Sequence, residues 1–218
     1  MGSSGGFPLD LILFGAIAAF LVLRLRSILG KRTGYERPQM RPAGPGTGRV
    51  IDLAPEVPAK PSRALPDPAS PPGQALARMA RLEAGFDAAR FLDGAEAAFR
   101  IIVTAFAAGD RDKLRVLLSD DTFRAFDSAI SGRETAQETQ RTEIRAVSAA
   151  TIEAADLRGS IADIAVRFVS DQVNLTLGPD GNPVTGTDAV TEIVDQWTFE
   201  RDLASSDPTW RLVAARSA

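Results

Sequence analysis

The arrangement of apolar and polar residues divides the chain into three parts. Residues 11–23 form an apolar run without a charge or a proline. Residues 31–74 contain ten of the fourteen prolines and show almost no hydrophobic periodicity. From residue 75 onward, apolar residues recur first at helical spacing and later at every second position, as in strands. The pattern therefore predicts an N-terminal membrane anchor over 1–30, a linker over 31–74 and a folded domain over 75–218.

The apolar run is marginal in length for a helix that spans a membrane. At about 1.5 Å per residue it covers about 20 Å, whereas the hydrocarbon core of a bilayer is about 30 Å thick. Arg24 and Arg26 can extend the helix, because their aliphatic stems lie along apolar surface while the guanidinium groups reach the headgroups. The predicted span is residues 7–29. Its anchor residues are Leu11, Ile12, Leu13, Phe14, Ile17, Phe20, Leu21, Val22, Leu23, Arg24 and Arg26.

The charges on either side of the run predict its orientation. No Lys or Arg precedes it, and seven follow within residues 24–50 against one acidic residue, Glu36. Because positive charge stays on the cytoplasmic side, we expect a single-pass protein of the bacterial inner membrane with a cytoplasmic C-terminal domain. A secretory signal peptide, the first alternative, carries its positive charge ahead of the run. A buried core helix is the second alternative.

The proline-rich composition of residues 31–74 favours extended conformations. Such a segment buries too little apolar surface to offset the entropy lost on ordering. We therefore expect a flexible tether between the anchor and the domain. A proline-rich ligand for an adaptor domain is the alternative, although no clean repeated PxxP pattern supports it.

Residues 75–90 have the periodicity of an amphipathic helix. Apolar residues recur at helical spacing and arginines occupy other positions. Two interpretations are open: the helix packs on its own domain, or it lies on an anionic membrane or a partner protein. The predicted lipid or partner surface consists of Leu76, Arg78, Met79, Arg81, Leu82 and Phe86.

The segment 91–132 predicts three further helices with capping residues between them. Asp93, with a glutamate three residues later, resembles a capping box at the start of the first helix. Gly109 can end that helix with a positive φ, and Asp110 can cap the second. Ser119 is the expected N-cap of the third helix, which we predict to end before Gly132.

After residue 134 the hydrophobic period changes from helical to alternating. Apolar residues occupy every second position in 162–169, and residues 172–177 and 193–199 repeat the alternation. The segment 178–186 between them is rich in turn residues and predicts a hairpin. Helices followed by an antiparallel meander indicate an α+β fold.

The absence of cysteine and histidine limits the chemistry of this chain. It excludes disulfides, thiolate catalysis, Cys-ligated zinc and a histidine general base. We expect no metal and no cofactor. The net charge of −3 combines a basic segment over 24–50 with an acidic remainder. An acidic domain is a poor binder of nucleic acid, whereas the basic segment suits anionic lipid.

A candidate pocket lies on the predicted concave face of the sheet. Asp195 shares its strand register with Trp197 and Phe199, so its carboxylate is expected among apolar side chains. A buried carboxylate is costly unless it is paired, and Arg201 and Arg167 are candidate partners. A pocket base with a raised pKa is the alternative. The aromatic residues either line a pocket for an acyl chain or partner segment, or form core. The predicted pocket consists of Phe168, Asp195, Trp197, Phe199 and Trp210.

Four segments stand in a specific order along the chain: FLDGAEAAFRIIVTAFAAGD (91–110), LRVLLSDDTFRAFDSAISGRE (114–134), IEAADLRGSIADIAVRFVS (152–170) and DQWTFERDLASSDPTWRLVA (195–214). Together they resemble the Tim44-like family. This family comprises the C-terminal domain of the mitochondrial import-motor scaffold and bacterial inner-membrane relatives called TimA. The resemblance covers about residues 75–216 and implies a curved antiparallel sheet wrapped by helices, similar to the nuclear-transport-factor-two-like cone.

The resemblance also implies functional roles. Mitochondrial members bind cardiolipin-containing membrane through the first helices of this domain and tether a chaperone motor to the import channel. The matching positions here lie in the amphipathic segment that contains Arg78 and Arg81. The long charged N-terminal region through which mitochondrial members hold the chaperone is replaced here by the proline-rich segment, which puts chaperone binding in doubt.

These observations together predict a binding protein. We expect a membrane-anchored scaffold or adaptor that binds anionic, cardiolipin-like lipid and protein partners, with translocation, assembly or chaperone machinery as candidates. We expect no nucleic-acid partner and no enzymatic activity. The alternative is a hydrophobic-ligand binding protein, or a carboxylate-dependent enzyme, that uses the concave pocket.

Overall fold

The computed structural model describes residues 62–217, and within them the chain forms four helices and five strands. The order confirms the predicted α+β class, with helices preceding most of the sheet. The helices are α1 (Pro71–Leu82), α2 (Ala88–Ala108), α3 (Arg111–Leu117) and α4 (Asp120–Thr135). The strands are β1 (Ser62–Ala64), β2 (Thr139–Arg158), β3 (Ile161–Leu177), β4 (Pro183–Asp202) and β5 (Arg211–Ser217).

The helix boundaries follow from capping side chains and a left-handed glycine. Gly109 ends α2 at φ 71°, a conformation that costs glycine no steric strain. Asp110 accepts a hydrogen bond from the backbone N–H of Lys113, and Ser119 accepts one from Thr122. All three capping residues therefore act as the sequence predicts.

Several helix boundaries differ from the prediction. The helix α4 continues past Gly132 to Thr135. The amphipathic segment 75–90 is interrupted by a loop that contains Gly85, the glycine at which the sequence allows a break; α1 begins earlier, at Pro71, and ends at Leu82. The N-cap of α2 is Asp87, whose carboxylate accepts a hydrogen bond from the Arg90 N–H. The predicted capping box at Asp93 is therefore wrong, since Asp93 lies inside α2. Its carboxylate and the neighbouring Glu96 instead pair with Arg63 of β1.

The five strands form one sheet in the order β1-β2-β3-β4-β5. Strands β2 to β5 pair antiparallel as predicted, but β1 runs parallel to β2, so the sheet is mixed rather than wholly antiparallel. The strand β1 and the first turn of α1 fall inside the predicted linker 31–74. Three register shifts interrupt the pairing of β2 with β3. The likeness to a cone stays a prediction.

The core lies between α2 and the inner face of the sheet. Every second residue of β3 from Ala162 to Thr176 is buried. From Ala162 to Phe168 these residues are the apolar ones, as the sequence predicts, whereas at 172–177 the buried alternate positions are the polar Gln172, Asn174 and Thr176. Phe99 of α2 stacks on Phe168 of β3 at 4.6 Å between ring centroids and meets Trp197 of β4 edge-to-face at 4.7 Å. These aromatic contacts fix one side of α2 against the sheet.

The outer face of the sheet carries a pair of facing carboxylates. Asp163 of β3 lies directly opposite Glu200 of β4, and Arg158 contacts both. Partial burial and the charge of Asp163 raise the pKa of Glu200 above its ordinary value of 4.5. The raised pKa means that the folded state binds a proton more tightly than the unfolded state. Ionisation of Glu200 therefore lowers the free energy of unfolding as the pH rises from 4.5 through the raised pKa.

We predict that Glu200→Gln raises the free energy of unfolding at pH 7 by up to about 0.5 kcal/mol, because like charges on facing residues destabilise a sheet and solvent screens part of the effect. The gain should disappear well below pH 4.5, where Glu200 is protonated in both states. Denaturant titrations at pH 7 and pH 3.5 measure this difference. The exposed Asp188→Asn variant changes net charge equally and serves as the control. A gain that persists at low pH would contradict the prediction.

Candidate binding groove

A groove of about 340 Å³ is bounded by the loop between α1 and α2, one face of α2, Leu117 of α3, the end of β4 and the segment before β5. One wall is the loop that joins α1 to α2, and the opposite wall comes from β4 and the segment before β5. Its size falls at the lower end of the range for small-molecule and side-chain pockets. The lining residues are Glu83, Gly85, Phe86, Asp87, Arg90, Phe91, Gly94, Ala95, Ala98, Leu117, Phe199, Arg201, Thr209 and Trp210.

Aromatic side chains form the apolar part of the groove. Trp210 is half-buried and meets Phe91 edge-to-face, with 4.7 Å between the ring centroids. Phe86 approaches the same indole ring from the loop at 6.1 Å, and Phe199 lies 6.1 Å from Phe91. The indole therefore presents an aromatic surface to whatever occupies the groove.

Small residues on α2 keep the groove open. Gly94 and Ala98 lie four residues apart and so share one face of the helix. A Cβ atom added at Gly94 would meet no atom within 4 Å, so this position faces open space. A larger side chain there would fill the groove without disturbing the packing of the helix.

An ion pair crosses one end of the groove. Both terminal nitrogens of Arg201 donate to the carboxylate of Glu83 at 3.1 Å, and its Nε donates to the backbone carbonyl of Asp207 at 3.1 Å. The exposed fractions of the two side chains are 12% for Arg201 and 28% for Glu83. A bidentate pair of this kind is among the stronger charged contacts in proteins.

A second guanidinium lies in the lining of the groove without such a partner. Arg90 is exposed and forms no ion pair with any carboxylate in the part of the chain that the structure describes. The nearby carboxylate of Asp87 is the N-cap of α2 and accepts a hydrogen bond from the backbone N–H of Arg90. The groove therefore combines an apolar interior with positive charge that is available to an anionic group.

The structure places the predicted pocket residues in two different environments. Phe199 and Trp210 line the groove. Phe168, Asp195 and Trp197 are fully buried in the core and do not line it. For these three residues the structure supports the core interpretation, because α2 covers the concave face that we expected to be open.

Asp195 lies deep inside the protein. It is 0% exposed, faces Phe168 in the sheet register, and accepts a weak hydrogen bond from the Ser217 hydroxyl at 3.4 Å. Of the two candidate partners of Asp195, Arg201 pairs with Glu83 and Arg167 pairs with Glu153. An ion pair of Asp195 stays a prediction.

The residues of the predicted lipid or partner surface do not form one surface: some are buried, some are exposed, and one lines the groove. Met79 is 0% exposed and Leu76 is 8% exposed, because this side of α1 packs on the sheet. The opposite side carries Arg78 and Arg81, both exposed, and Leu82, which is 50% exposed. Phe86 of the same predicted surface lies in the loop and lines the groove.

The predicted anchor residues of 11–26 lie outside the described residues. Among the helices between residues 62 and 217, none has the length and apolar character required to cross a bilayer.

Sequence reasoning missed Glu83, Arg90 and Phe91 as lining residues. Phe91 and Ala95 are spaced four residues apart, which indicates one helix face, but a face pattern does not distinguish core from groove. The pairing of Glu83 with Arg201 joins residues 118 positions apart, and no local pattern indicates such a contact.

Comparisons with known proteins place the fold in context. The sequence profile of the Tim44-like domain matches residues 73–217. The chain is also similar to the crystal structure of the intermembrane space region of the chloroplast protein ARC6. That similarity has a TM-score of 0.44 at 8% identity and covers 58% of this chain and 95% of the other. No curated protein sequence matches the chain.

We predict that Arg201→Met lowers the free energy of unfolding by about 1–3 kcal/mol, because it leaves the carboxylate of Glu83 partly buried without its partner. Combining Arg201→Met with Glu83→Gln should cost less than the sum of the single changes, with a coupling energy above about 0.5 kcal/mol. Denaturant unfolding of all four proteins measures the coupling. The exposed pair Arg141 and Glu143 provides a control cycle, for which we expect less coupling. Additive effects at Glu83 and Arg201 would contradict the prediction.

Proposed function

Because the chain belongs to the Tim44-like family, whose members are membrane-associated scaffold and binding proteins, we propose that it holds partner proteins against an anionic membrane. In this proposal the exposed side of α1 contacts lipid and the groove contacts a partner. The two surfaces meet at the loop between α1 and α2, so lipid and partner would be held side by side.

The unpaired arginines around this loop are the observation that carries the proposal. Arg78, Arg81 and Arg90 are exposed, and none forms an ion pair with a carboxylate of the described residues. In contrast, Arg100, Arg111 and Arg158 all pair with acidic side chains.

The packing of α1 decides which of its side chains can reach a membrane. Its buried side holds Leu76 and Met79 against the sheet, so the helix cannot insert that side into lipid. The outward side offers two guanidinium groups and the exposed Leu82. Each arginine near an anionic surface contributes about 1 kcal/mol, so the contact is electrostatic and reversible rather than a deep insertion.

The location and the partners of the scaffold rest on sequence features outside the described residues. The apolar run 11–23 and the basic segment 24–50 support an anchor in the bacterial inner membrane with the domain on the cytoplasmic side. The proline-rich segment would then let the domain reach partners at a distance from the anchor. We propose cardiolipin-like lipid and translocation, assembly or chaperone machinery as the partners.

A second candidate function is the binding of a hydrophobic ligand in the groove. The aromatic lining and the volume of about 340 Å³ favour it over a carboxylate-dependent enzyme. Asp195, the carboxylate considered for catalysis, lies in the core rather than in the groove.

We predict that Arg78→Glu combined with Arg81→Glu weakens binding of residues 62–218 to cardiolipin-containing phosphatidylcholine vesicles by roughly thirty-fold or more. The unaltered domain should bind these vesicles, and added salt should weaken the binding, because the contact is electrostatic. Vesicle flotation across a salt series measures both effects.

The double variant Arg124→Glu with Arg141→Glu is the matched control for net charge, because both guanidinium groups are exposed and lie on other elements. It should retain most of the vesicle binding. Equal losses in the two double variants would show that overall charge, rather than the exposed side of α1, determines binding. Binding that does not depend on cardiolipin would contradict the proposal.

We predict that Gly94→Leu reduces binding of the apolar anionic dye 1-anilinonaphthalene-8-sulfonate, because the new side chain fills the groove. Helical stability should not fall, since Leu is a better helix former than Gly. Gly132→Leu is the control, because Gly132 also lies in a helix with open space around it but away from the groove. Equal dye binding by the two variants would contradict a ligand site in the groove.

A further inference from the structure

The loop between α1 and α2 contributes its own side chains to the groove. Glu83 offers its carboxylate to the paired nitrogens of Arg201, and Phe86, three residues later, places its ring against Trp210. Both loop residues are among those that line the groove. The loop therefore pairs one carboxylate with the guanidinium group of Arg201 and packs one phenyl ring on the indole of Trp210.

The two ends of the loop are tied to the flanking helices, because the Glu83 N–H donates to the Met79 carbonyl and Asp87 accepts hydrogen bonds from the Arg90 and Phe91 N–H groups. Between these ends, the ion pair of Glu83 and the ring of Phe86 are the contacts that hold the loop on the groove.

The loop has no regular secondary structure between Leu82 and Ala88, and its Ala84 and Gly85 are exposed. Its one backbone bond within the loop joins the Phe86 N–H to the Glu83 carbonyl at 3.0 Å. A Cβ atom at Gly85 would meet nothing within 4 Å, so no close packing fixes the middle of the loop. Segments with few buried contacts open at low free-energy cost.

The wall opposite the loop would keep its geometry if the loop moved away. The Nε of Arg201 donates to the Asp207 carbonyl, which leaves the two terminal nitrogens free to receive another carboxylate in the same bidentate arrangement. Trp210 stays packed edge-to-face on Phe91 of α2. Both recognition groups are therefore held by contacts that do not involve the loop.

We propose that the loop 83–87 is a displaceable plug, and that the groove binds an acidic segment of a partner protein that carries an aromatic residue three positions after a carboxylate. The partner segment would place its carboxylate on Arg201 and its ring on Trp210, as Glu83 and Phe86 do. This inference rests on the proposed scaffold function and names the partner class and the regulation of its protein-binding site.

Charge complementarity supports an acidic occupant over a neutral or basic one. If Glu83 moves away, the largely buried guanidinium group of Arg201 loses its counter-charge. Only another anionic group can take the place of the Glu83 carboxylate at a low cost in free energy. Arg90 adds a second cation in the groove lining, and the Asp87 carboxylate does not satisfy it because it caps α2. A segment with further acidic residues would therefore gain a contact that the loop itself does not make.

The test uses a fluorescein-labelled hexapeptide with the sequence of residues 82–87, LEAGFD, and the full-length chain. In the unaltered chain the tethered plug competes at a high effective concentration, so we expect weak binding. The variant with Glu83→Gln and Phe86→Ala weakens the plug and should bind the peptide at least about ten-fold more tightly. Adding Arg201→Met to that variant should abolish the gain. Fluorescence anisotropy measures each affinity, and thermal unfolding confirms that each protein is folded.

Two control peptides test the recognition rule. Replacing the glutamate of the peptide by glutamine, or its phenylalanine by alanine, should each remove most of the binding. Equal binding of all three peptides, or no binding to the weakened-plug variant, would overturn the proposal. Arg78→Glu with Arg81→Glu should leave peptide binding unchanged, so a failure of the lipid contact and a failure of the plug give different results.

A second measurement needs no altered loop. In the unaltered chain, backbone amides of residues 84–87 should exchange hydrogen for deuterium faster than those in the middle of α1. Their exchange should become faster still at millimolar LEAGFD, because the peptide displaces the loop. Exchange that does not change with the peptide would overturn the plug, whether or not the substituted proteins fold.

Discussion

The packing of α2 on the sheet is the constraint on which the rest of the structure depends. Phe99 lies against Phe168 and Trp197 and covers this face of the sheet, so the face is a filled core rather than an open pocket. The same helix turns Phe91, Gly94 and Ala98 outward from that contact, toward β4 and Trp210. One helix therefore separates the core from the groove.

Arginine pairs attach the helical layer to the sheet on both sides of this contact. On one side Arg63 of β1 reaches Asp93 and the largely buried Glu96 of α2. On the other side Arg201 of β4 reaches Glu83 at the end of α1. Partly buried, bidentate arginine pairs fix geometry more than they add net stability. The loop 83–87 is consequently held at one end by a charge pair that another carboxylate could replace.

Several parts of the fold and the site could be predicted because they depend on neighbouring residues. The caps at Gly109, Asp110 and Ser119 involve groups within a few positions of one another, and local chemistry suffices to identify them. The alternation in β3 likewise reports the buried side of the strand from Ala162 to Phe168, but not at 172–177, where polar Gln172, Asn174 and Thr176 are buried. Trp210 and Phe199 were predicted as pocket residues and line the groove. The capping box at Asp93 failed because Asp87 already caps α2 upstream, which places Asp93 inside the helix, where it pairs with Arg63.

The sequence by itself determined the α+β class, the helix ends at Gly109, Asp110 and Ser119 and the exposed arginines of α1, since period, capping and charge are encoded within short stretches of chain. Only the tertiary structure decided which apolar positions line the groove and which fill the core. Asp195, Trp197 and Phe199 share one face of β4 and all three are buried, yet only Phe199 reaches the groove, where Phe91 of α2 packs on it. Whether a side chain is covered depends on an element far away in sequence. The register of a strand fixes only the face on which that side chain lies.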